Sequence, residues 1–159
     1  MTKLQDQQII LAQLILVTAK EARYLKRTAD RLRSLDIDIF WVQSLENNDE
    51  YSEMLDAFVS RYGRLQDTLG DKLLPAILRA SLEKTGAQLD NLLRAEKLGW
   101  IESTQSWIEL RELRNRLVHE YLESAGDLLN ALQQALQGVH ILTETQLSFV
   151  AYAQKLKPL

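Results

Sequence analysis

Within one eight-residue stretch, Arg114-Asn115-Arg116-Leu117-Val118-His119-Glu120-Tyr121, the chain gathers arginine, a polar amide, histidine and tyrosine. Histidine titrates near neutrality and can serve as general acid or base. Arginine keeps its charge and offers a planar fork to non-bridging phosphate oxygens. Together they suit cleavage of a phosphodiester bond in RNA. Attack by the 2′-hydroxyl needs a base to take its proton and a fixed positive group to hold the charge that develops on the phosphoryl oxygens. Arg114 and His119 are therefore the candidate catalytic pair. Asn115 can fix the imidazole tautomer or bond a phosphate, and Arg111 and Arg116 extend a local basic patch. One histidine per motif is thin for both acid and base, which favours a composite site across a homodimer. No metal and no cofactor is needed, and with two histidines and no cysteine the chain offers no convincing ligand cluster for a metal.

The helix that must carry these residues runs from Ser106 to Tyr121. At about 100° per residue, Leu110, Leu113, Leu117 and Tyr121 form one stripe that faces the core. Arg114 sits at its edge, with Arg111 and Val118 on its flank. Ile108, Asn115 and His119 point to nearly the opposite side, and Asn115 and His119, one turn apart, can touch. A face that mixes apolar Ile108 with Asn115 and His119 is expected to be partly buried. In a two-fold dimer such a face meets its own copy and brings two histidines and two arginines together.

The rest of the chain reads as scaffold. Leu4, Leu11, Ile15, Ala22, Leu25, Ala29 and Leu32 recur at helical spacing, so Leu4 to about Leu35 is one long helix. Its second half carries Lys20, Arg23, Lys26, Arg27, Arg31 and Arg33. Its first half, with Ile9, Ile10, Leu14, Leu16 and Val17, is apolar almost all round, which fits either a central place in the bundle or a subunit interface. Asp36-Ile37-Asp38 and Asn47-Asn48-Asp49 break the pattern, and Phe40, Trp41, Val42 and Leu45 between them are expected to pack. Met54, Leu55, Phe58, Tyr62, Leu65 and Leu69 form the next stripe. Gly70-Asp71 interrupts or bends that helix, and Leu73 to Leu82 continues it, with Pro75 near the start where it is tolerated. Thr85-Gly86 closes this segment. A brief helix from about Gln88 to Leu98 turns Leu89, Leu92 and Leu93 inward and ends at Gly99 as a glycine cap. Ser103 and Ser106 are both possible caps for the motif helix, and Ser124 with Asp127 opens the last one. That helix buries Leu128, Leu132, Leu136 or Ala135, Val139 and Leu142 and runs toward Gln154. His140, Trp41, Trp100 and Trp107 read as packing or surface residues, and Asp67 and Asp71 as a solvated turn.

Composition agrees: 159 residues with two prolines and six glycines and no strand-like alternation make residues 1–159 a single all-α domain, an antiparallel bundle of about five or six helices. The net charge of −3 and pI near 5.5 exclude a general polyanion-coating surface, so RNA must meet a local patch. No apolar run reaches the ~20 residues that span a bilayer, and no signal peptide is recognisable. A cytoplasmic protein with no membrane partner is expected.

The order Arg114, a polar Asn115, His119 and Tyr121 resembles the Arg-x4-His-x-Tyr motif of the HEPN superfamily, and its trailing tyrosine that of the HepT-like branch. The leucine-rich helix ending at Gly99 is also similar to what precedes the motif in that family. The resemblance covers most of the chain in helix order and is sharp only at the motif. It implies a HEPN-like fold and a metal-independent endoribonuclease toxin of a toxin–antitoxin pair, acting on tRNA or mRNA as a homodimer, with Arg114 and His119 in the interface cleft. It further implies a cognate minimal nucleotidyltransferase antitoxin that neutralises the toxin by AMP transfer (AMPylation) to Tyr121. The alternative within the same family is a non-catalytic HEPN module that binds a partner nucleotidyltransferase.

Overall fold

The computed structural model describes residues 2–119 and 124–156, leaving aside the side chain of His119. The described residues form helices and no strand. In chain order these are α1 (Lys3–Arg33), α2 (Ile39–Gln43), α3 (Asp49–Thr68), α4 (Leu74–Ala80), α5 (Gln88–Lys97), α6 (Thr104–His119) and α7 (Ala125–Gln154). The two long helices α1 and α7 pack on each other, α3 packs along α1, and α6 lies on both α3 and α7. One hydrophobic core joins all of them.

Local chemistry sets most of the boundaries. Thr2 and Gln5 form a reciprocal capping box at the start of α1. Asp38, Asn48 and Ser124 cap α2, α3 and α7 through side-chain oxygens that accept from the third residue on. Ser103 Oγ accepts from the Ser106 amide at 3.1 Å, so Ser103 rather than Ser106 opens α6. Gly99, at φ +78°, ends α5 as expected: the amides of Gly99 and Trp100 return to the carbonyls of Glu96 and Ala95.

The break at Gly70-Asp71 is a π-helical turn, Leu69–Leu73, which leaves α3 and α4 continuous. The Leu74 amide donates to the Leu69 carbonyl across this turn. Pro75, just after it, has no amide to give, so the wider turn falls where the regular ladder would lose a rung anyway. The helix then closes before Thr85-Gly86, at Ser81-Leu82. Leu82 takes φ +61° and the Glu83 amide returns to the Leu78 carbonyl, a glycine-type cap built on a leucine.

Two apolar segments differ from the sequence reading, and a third departs from one of its two alternatives. Trp41, Val42 and Leu45 are buried, but Phe40 is 74% exposed, because the short α2 turns only one side inward. Of the three α5 leucines only Leu92 is buried, alongside Asn91 and Ala95; Leu89 and Leu93 face solvent, since this ten-residue helix touches the bundle along a narrow stripe. The first half of α1 is not central: Ile9, Ile10, Leu16 and Val17 are all exposed on the chain.

Candidate functional site

Helix α6 is set deep between α3 and α7 by two glycines. A Cβ on Gly138 of α7 would stand 2.4 Å from Leu110 Cδ2, and one on Gly63 of α3 would stand 2.6 Å from Arg114 Nε. Leu110, Leu113 and Leu117 are buried, as the helical spacing requires, with Trp107 beside them. Two side chains of α3 then reach carbonyls of α6. Tyr62 donates its hydroxyl to Leu110 at 3.1 Å, and Gln66 donates its amide to Trp107 at 3.2 Å. Burial pushes the Tyr62 phenol well above its ordinary range, so it remains a donor.

Arg114 is the third rung. Its side chain leaves α6, crosses the bare backbone at Gly63, and places Nη1 2.9 Å from Asp67 Oδ1. Gly63 and Asp67 are one turn apart on the same face of α3, so one supplies the passage and the other the anchor. The pair is only partly buried, which leaves the guanidinium accessible at the edge of a groove of about 440 Å³. Ser60, Arg64, Asp71, Lys72 and Val118 line the same groove. Three cations thus share it with two carboxylates. Such a balance can seat one phosphate against Arg114, Arg64 and Lys72, and it suits a single local contact better than continuous coating of a polyanion.

Glu21 of α1 lies behind the groove wall. Thr68 Oγ1 is 3.1 Å from its Oε2, while Oε1 is buried without a partner. Desolvation raises its carboxyl above the usual range, against the hydrogen bond from Thr68 and the charges of Arg64 and Lys72.

The other motif residues part company. Arg111 is exposed and donates to Gln88 Oε1, whose amide in turn donates to Asp71 Oδ1. Arg111 therefore reaches the groove rim through Gln88. Asn115 is exposed on the outer side of α6. Arg116 is half-buried and faces a different hollow, between α6 and α7, beside Gln134, Gln137 and His140. His119 is the last residue of α6, and its side chain and the whole of Tyr121 lie outside the described residues. Five helical positions rotate His119 by about 140° from Arg114, and Arg114 turns toward α3.

Asp67 and Asp71 are not a solvated turn: each holds a side chain that reaches over from α6 or α5. Gly63, Arg64, Asp67 and Lys72 escape a motif-based reading because their relevance depends on which face of α3 meets α6. The visible trace is a glycine in an otherwise regular helical stripe, one turn before an aspartate. Trp41, Trp100 and Trp107 are buried anchors, and His140 is exposed with Nδ1 2.6 Å from the Gln137 carbonyl. Among the described residues no group of three or more histidine, aspartate or glutamate side chains could hold a metal ion, and no helix is long and apolar enough to cross a membrane. No protein-family model, curated protein or solved structure matches the chain.

Proposed function

We propose that this chain is a HEPN-like, HepT-type protein whose α6 motif cleaves RNA without a metal. The observation that carries the reading is the setting of Arg114: a partly exposed side chain, braced by Asp67 and Gly63, at the edge of a groove that also holds Arg64 and Lys72. A buried clamp would have no use for an open groove, and a free surface arginine would have no use for a glycine passage and an anchor. Arg114 holds a non-bridging phosphate oxygen, and His119 exchanges protons with the 2′-hydroxyl or the leaving oxygen. Because His119 lies about 140° around the helix from Arg114, a second copy supplies the missing half, and the composite site forms where two α6 faces meet. The partner that restrains the activity is a minimal nucleotidyltransferase acting on Tyr121, where an added AMP brings a bulky anion to the motif.

The ion pair to Asp67 also favours a second reading, in which Arg114 only ties α6 to α3 and the protein is a binding module for a nucleotidyltransferase. Incubation of purified protein with total tRNA and mRNA in EDTA separates the two. Cleavage by the unmodified wild type, lost on Arg114→Ala and on His119→Ala, is the expected result. Cleavage by neither wild type nor variants, with Tyr121 unmodified by mass spectrometry, leaves the binding module.

A further inference from the structure

The first half of α1 carries a face that the chain itself leaves uncovered. Leu11, Thr18, Leu25, Ala29 and Leu32 turn inward, while Ile9, Ile10, Leu16 and Val17 are 44, 51, 73 and 48% exposed. Helical rotation places these four residues on either side of a line through Asp6, Gln13 and Lys20, which drift by only about 20° per seven residues. All three line residues are exposed too. Beyond Lys20 the same helix becomes strongly cationic, so the apolar face is a bounded patch rather than scattered surface leucines.

The patch is self-complementary. About Gln13 the sequence reads symmetrically: Ile9 corresponds to Val17, Ile10 to Leu16, and Asp6 to Lys20. We infer that a second copy of this chain docks here, α1 against α1, antiparallel about a two-fold axis at Gln13. In that arrangement two aliphatic pairs close on each side of the axis and each Asp6 meets the other copy's Lys20. A parallel pairing would set Asp6 on Asp6 and Lys20 on Lys20, so charge selects the antiparallel one. The single like-charge correspondence, Lys3 with Arg23, lies about 80° from the midline, where both stay in water. Opposed Gln13 side chains at the axis can exchange amide hydrogen bonds. The contact is independent of the ribonuclease reading, because α6 packs on α3, α5 and α7. Where both contacts form about perpendicular, intersecting two-fold axes, the assembly closes as a tetramer.

Solution mass by light scattering, with circular dichroism as the folding control, tests this on the full chain. Leu16→Glu is expected to halve the assembly's mass. Asp6→Lys and Lys20→Glu each break both symmetry-related pairs and should weaken association about 30-fold, as expected of two pairs worth ~1 kcal/mol each, and the double variant should restore it. The chain has no cysteine, so engineered thiols report the register directly. Gln13→Cys should cross-link to its own copy. Asp6→Cys and Lys20→Cys should cross-link when mixed and not when alone. A monomeric wild type, a mass that Leu16→Glu leaves unchanged, or cross-linking by Asp6→Cys alone overturns the proposal.

Discussion

At the residue scale the account turns on how one arginine is held. A lone arginine on a helix rim samples many rotamers, and ordering it costs up to ~2 kcal/mol of side-chain entropy. Here Gly63 removes the obstacle in its path and Asp67 fixes its end at 2.9 Å, so the side chain is already placed for the phosphate contact proposed above. Asp67 is thus a positioning residue for Arg114. Its partly exposed pair contributes less than ~1 kcal/mol to stability. Asp67→Asn should therefore lower the unfolding free energy by no more than that, yet reduce kcat of RNA cleavage by about 10-fold or more with a smaller change in KM. Denaturant melts beside steady-state cleavage rates would check both parts. Unchanged cleavage would make the pair purely structural. None of this was legible from the motif alone. Arg114 and His119 are recognisable by type and spacing, but Asp67 lies 47 positions earlier and becomes relevant only when α3 is laid against α6.

At the scale of elements, the depth of α6 is set by small residues on its neighbours. Gly138 lets Leu110 fill the space that a side chain of α7 would otherwise take. Gly138→Ala should overpack this contact and cost about 1–3 kcal/mol, a fall in Tm of several degrees for a domain of this size. Combining it with Leu110→Ala should recover part of the loss, because the new methyl then enters vacated space; simple additivity in thermal melts would refute that account of the contact. The helices themselves were largely readable, because α1, α3, α6 and α7 are long enough for periodicity to average over single exceptions. Short elements were not. Phe40, Leu89 and Leu93 look like core residues in a sequence, but α2 and α5 present too narrow a stripe to bury them. The π-helical turn shows in the sequence only as Gly70 and Pro75 placed five residues apart. Its wider ring depends on backbone geometry rather than on side-chain type.

At the scale of the whole molecule, an acidic chain of net charge −3 concentrates Arg64, Lys72 and Arg114 in one groove and leaves one apolar patch on α1. The first arrangement can seat one phosphate group, and the second is the face on which the proposed copy docks. The apolar first half of α1 was visible in the sequence; that it faces outward was not, since periodicity cannot tell a buried helix from an unpartnered one. The central claim is that the α6 motif drives attack by the RNA's own 2′-hydroxyl, with arginine and histidine and no metal. The chemical identity of the new RNA ends, formed in EDTA and read by mass spectrometry, tests it most directly. The account predicts a 2′,3′-cyclic phosphate on one fragment and a free 5′-hydroxyl on the other, both lost with His119→Ala. Ends bearing a 5′-phosphate and a 3′-hydroxyl, or cleavage that appears only on adding a divalent cation, would contradict it.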